Sequence, residues 1–163
     1  MKFPTLAIGL VLFAGAAEAQ NTSATAFDRL KALAGTWEAD SPAGGKLTDT
    51  IVLVSGGRAI AETIGIPADN EVSLYTRDGS RILMTHYCAL TAEGNQPRLE
   101  TTATTASQSE FVFAFVSATN LAPGDAHMHR MVLRLKDADR FTEVWTKREK
   151  NKDTVFTLNF TRK

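Results

Sequence analysis

The chain has 163 residues, with 18 basic and 18 acidic side chains and 44% hydrophobic content. That length is one domain's worth, with room for a buried core. The balanced charge gives no reason to expect nucleic acid or an anionic membrane as partner, and a single cysteine, Cys88, excludes an internal disulfide.

The first segment, MKFPTLAIGLVLFAGAAEAQ, sets basic Lys2 before an apolar run from Thr5 to Ala16 and the small-x-small pattern Ala17-Glu18-Ala19. This predicts a secretory signal peptide over residues 1–19, cleaved after Ala19. The apolar run is shorter than the ~20 residues that span a bilayer. The residue directly after the cleavage point is Gln20 rather than cysteine, so no lipid anchor is expected. Removing the first 19 of 163 residues leaves 144, residues 20–163, expected as a single domain in the periplasm or outside the cell. Export also puts the lone thiol in an oxidising compartment, where it should be buried, ligated or reactive.

Thr25 and Asp28 then resemble a capping box, and Phe27, Leu30, Leu33 and Ala34 share a helical face up to Gly35. One short amphipathic helix is expected there. Beyond Gly35 the period becomes two. Strands are expected at 36–40, 46–54, 58–66, 72–76, 81–89, 98–105, 110–117, 127–136, 140–148 and 154–162. Gly56-Gly57 and Asp78-Gly79 read as hairpin turns. About ten short strands and no second helical pattern argue for an all-β sandwich or closed barrel.

At Leu33-Ala-Gly35-Thr-Trp37-Glu38 the chain resembles the calycin group of antiparallel barrels: lipocalins, fatty-acid-binding proteins and nitrobindin-like proteins. Gly35 and Trp37 match the group's Gly-x-Trp on the first strand. The resemblance implies a lumenal small-molecule ligand, and an arginine from a late strand packed on the tryptophan, for which Arg148 and Arg162 are the candidates. The strings THYC…GNQPR and HMHR also resemble a family of uncharacterised exported bacterial proteins. Nitrobindin-like barrels bind haem through a histidine near the C-terminus. The last strand here has none, so His127 or His129 would have to substitute.

Alternation along a strand puts Ile82, Met84, His86 and Cys88 on one face, and His127, His129, Met131 and Leu133 on one face of another strand, with Arg130 and Arg134 opposite. All three histidines and the thiol are therefore expected to face the lumen. Imidazole and thiolate suit Zn or Cu, with Met84 or Met131 able to assist Cu(I). The competing reading makes these hydrogen-bonded core residues, since a histidine on an apolar face is more often that. A third reading is a small enzyme with a lumenal histidine as acid or base. For activating the thiol, His86 looks poorly placed on the same strand.

Further ligand-lining candidates are Phe113, on the stripe Phe111, Phe113 and Phe115; Glu62, on a face with Ile60 and Ile64; and Arg98, beyond Asn95 and Gln96. Each has a plain alternative: barrel core for the phenylalanines, a solvent face for Glu62, and turn chemistry around Pro97. There is no phosphate loop, no Gly-x-Ser-x-Gly, no His-Glu-x-x-His and no Cys-x-x-Cys. The expectation is an exported calycin-like barrel holding a small ligand. The alternative is a metal- or haem-binding protein using His86, Cys88, His127 and His129.

Overall fold

The computed structural model describes residues 26–66, 69–102 and 109–163. The expected signal peptide and the Thr25 cap lie outside these. A short helix, α1 (26–31), precedes ten strands. These are β1 (Gly35–Asp40), β2 (Lys46–Val54), β3 (Ala59–Ile66), β4 (Asp69–Asp78), β5 (Arg81–Tyr87), β6 (Gln96–Thr102), β7 (Glu110–Thr119), β8 (His127–Asp137), β9 (Arg140–Glu149) and β10 (Lys152–Arg162). Every strand pairs antiparallel with its sequence neighbours, and β1 pairs with β10 to close the barrel. The architecture is consistent with a calycin-like barrel.

The connections follow from turn chemistry. Asp78 pairs with Arg81 across the expected Asp78-Gly79 hairpin, where Gly79 has φ +58°. Lys150 and Asn151 both adopt positive φ between β9 and β10, as a two-residue turn matched to the strand twist requires. Gly56-Gly57 form a single 3-10 turn with Ser55 rather than a tight hairpin. β6 begins at Gln96, two residues earlier than expected, and 103–105 of the expected strand lie outside the described residues.

Apolar residues at alternate positions fill the lumen. α1 covers one end, with Phe27, Leu30 and Leu33 buried against the barrel. Between Leu30, Leu33, Ile51, Ile60 and Leu133 only a void of about 10 Å³ remains, about the space of one water. Beside it Trp37 meets Phe141 edge-on at 4.8 Å, and Phe141 stacks on Phe160 at 4.6 Å.

The Gly-x-Trp motif has the partner its resemblance implied. Of the two candidates it is Arg162, whose guanidinium lies 4.0 Å from the Trp37 ring centre. Arg162 also donates to the carbonyls of Ala34 (3.1 Å) and Ala32 (3.4 Å), and the Trp37 indole donates to Leu33 O at 2.8 Å. Gly35 has φ +149°, and a Cβ there would collide with the Arg162 guanidinium, so glycine is required on both counts. Arg148 instead pairs with Asp153.

Candidate functional site

The lumen opens at the end opposite α1. A cavity of about 230 Å³ lies there. Its apolar walls are Leu47, Ile64, Met128, Trp145, Phe156 and Leu158, and Asp69 and Glu71 supply carboxylates. Alternation places these side chains: Glu71, Ser73 and Tyr75 share the inner face of β4, and Trp145 follows Phe141 and Glu143 along β9.

His86 sits beside this cavity, 1% exposed, with its ring 4.8 Å from that of Trp145. Ser73, directly across the β4–β5 ladder, holds Nδ1 at 3.0 Å. Nε2 lies 3.2 Å from Glu71 Oε2 but outside hydrogen-bond geometry, so it is buried without a hydrogen-bond partner among the described residues. One ligand-capable atom each of Glu71, His86 and Cys88 all lie within 4.8 Å of one another. β5 ends at Tyr87, short of the expected Ala89, so Cys88 lies just past the strand in a single bridge with Asn95, and the imidazole and thiol converge more closely than two positions on one extended strand suggested. Burial opposes charge on His86, but the neighbouring Cys88 and Glu71 outweigh it and raise its pKa to about 9.

The expectation that all three histidines share the lumen is corrected by one residue. The β8–β9 register slips between Met128 and Arg130. This bulge inserts His129 and reverses the alternation before it. Met128 therefore joins Met131 and Leu133 in the core, while His127 lines a separate cleft with loop 121–125, Arg148 and Lys150. His127 Nδ1 lies 3.2 Å from Asp125 O. A carbonyl only accepts, so Nδ1 carries the proton. With neutral rings, His127 Nε2 then accepts from His129 Nδ1 at 3.1 Å. Both rings lie against Phe115, and burial, followed by Arg148 and His127, lowers the pKa of His129. The four proposed metal ligands thus form two groups.

Asn95 connects them. Fully buried, it lies with Oδ1 3.7 Å from Cys88 Sγ and donates through Nδ2 to Ala126 O at 2.8 Å, at the entry to β8. Arg98 is exposed and lines an outer cleft with Arg81, Thr85 and Glu100. Phe113 is fully buried and meets Tyr75 edge-on at 5.7 Å, away from the cavity walls.

Glu62 faces inward, 1% exposed, and accepts from the Tyr75 hydroxyl at 2.7 Å. Sequence reasoning passed over its companions. Asp49 and Glu143 are both fully buried, and Glu143 accepts from the Trp145 indole at 2.9 Å. Both Asp49 oxygens and one of Glu143 have no hydrogen-bond partner among the described residues. Burial, then the charge of Glu62, pushes Asp49 up to about 9. Burial followed by Glu62 and Asp49 holds Glu143 well above the usual carboxylate range. Asp49 therefore stays protonated at neutral pH, and Glu143 is pushed the same way. The available signal was alternation: Asp49 lies between Leu47 and Ile51, and Glu143 between Phe141 and Trp145.

Neither the protein-family models nor the curated proteins contain a match to this chain.

Proposed function

We propose that the chain is an exported small-ligand-binding barrel of calycin type, with its ligand in the open end of the lumen. The observation that supports this best is the 230 Å³ cavity with apolar walls and carboxylates at Asp69 and Glu71. Ligand pockets combine such walls with a few polar groups that fix orientation. The size and charge suit a small molecule with an apolar body of about one ring and a cationic or hydrogen-donating head. The leader-like segment 1–19 supports export.

Benzylamine titrated into metal-free protein, followed by calorimetry, tests the binding. We expect saturable one-to-one uptake, blocked by Leu158→Trp, which fills the cavity. Glu71→Gln should weaken binding about tenfold or more, the scale of a lost charged hydrogen bond. Uptake unaffected by Leu158→Trp would place the ligand elsewhere. Export is checked separately: the protein from a periplasmic fraction should begin at Gln20.

A further inference from the structure

We propose that Glu71, His86 and Cys88 form a zinc site at the open end of the barrel, with a fourth coordination position facing the cavity. The inference goes beyond the organic-ligand reading and does not rest on it.

Imidazole nitrogen, thiolate sulfur and carboxylate oxygen together suit Zn²⁺, whereas Mg²⁺ and Ca²⁺ take oxygen ligands. Three protein ligands and one open position describe a zinc centre that can take a water or a ligand atom. Bond lengths of about 2.0–2.3 Å put tetrahedral ligand atoms roughly 3.3–3.8 Å apart. His86 Nε2 and Glu71 Oε2 are already 3.2 Å apart, and no pair in the set exceeds 4.8 Å. Contraction of about 1 Å completes the set. Glu71 and Cys88 can supply it, since neither is fully buried.

His86 Nε2 is buried and makes no aligned hydrogen bond among the described residues, with Glu71 Oε2 3.2 Å away, while Ser73 occupies Nδ1. A ligating histidine has this arrangement, one nitrogen held by an outer group and the other aimed at the ion. Leaving a buried imidazole nitrogen without an aligned hydrogen bond is otherwise costly. His127 and His129 contrast with it, since they spend their facing nitrogens on each other and on a backbone carbonyl.

The test is titration of the chelator-stripped chain with Co²⁺ and then Zn²⁺. We expect one Co²⁺ per chain with a thiolate-to-cobalt charge-transfer absorption, bleached by Zn²⁺. Cys88→Ser should lose that absorption while keeping its far-ultraviolet circular dichroism. Glu71→Gln should keep the absorption and bind at least tenfold more weakly. Ser73→Ala, which frees the imidazole without removing a ligand, should weaken Zn²⁺ about 10–100-fold, and His129→Ala should change nothing. Failure to bind, Co²⁺ uptake without the charge-transfer absorption, or the same absorption in Cys88→Ser would overturn the site. Benzylamine binding is measured on metal-free protein, so either proposal can fail alone.

Discussion

Arg162 shows how much one side chain can join. It lies over Trp37 and donates to two carbonyls at the end of α1, so it ties the last strand to the first turn of chain. A partly shielded cation–π contact is worth about 1–2 kcal/mol, and hydrogen bonds from a charged donor add a similar amount. Arg162→Ala should therefore cost roughly 2–4 kcal/mol in urea unfolding. Arg162→Lys should recover little of it, because an ammonium lacks the planar fork. Gly35, Trp37 and a pair of candidate arginines were legible in the sequence because a short motif carried them, while the choice of Arg162 over Arg148 came from the structure. Glu62 was legible because alternation set it among isoleucines. Asp49 and Glu143 obey the same alternation, but a carboxylate among apolar neighbours ordinarily signals a solvent face. Only the closed lumen shows that no solvent face exists at those positions.

The ten strands could be read from the chain because alternation and turn residues agree at nearly every junction. The histidine pair could not, because a bulge leaves no composition signature and reverses every assignment on one side of it. Pro97 similarly hid the start of β6: it sits in the strand, buried and paired with Ala118, where proline usually signals a break. The helix poses a simpler question of packing. Leu30 is 3% exposed and borders the small void next to Glu62 and Tyr75. Leu30→Ala should cost about 2–5 kcal/mol, the range for an aliphatic core truncation. The enlarged space should also admit water toward the Glu62–Tyr75 pair, which calorimetric unfolding would register as a lower midpoint.

At the scale of the molecule, the lumen is a closed apolar end, a layer of buried acids, and an open end with a cavity. Asp49 is raised from 3.8 to about 9, with Glu143 raised alongside it and Glu62 and Tyr75 facing both. Between those values the folded chain holds a proton that the unfolded chain has released, so stability falls as pH rises. The contribution is full below about pH 4 and is lost as pH passes through about 9. Thermal midpoints should decline across that window, and Asp49→Asn should flatten the decline, being closest to neutral at low pH and stabilising at pH 8. A midpoint rising with pH from 5 to 8 would contradict a protonated Asp49. The ring itself closes where β1 meets β10 through only two residue pairs, Trp37 with Arg162 and Glu38 with Thr161, while β9 and β10 share a long ladder. Every other rung joins strands adjacent in sequence, but the Ala34–Arg162 hydrogen bond spans 128 residues. Such long-range closure bears the largest loop entropy and forms slowly. The arginine latch can therefore act only when all the intervening strands have been synthesised, which leaves β1 and β10 as the last edges to be joined.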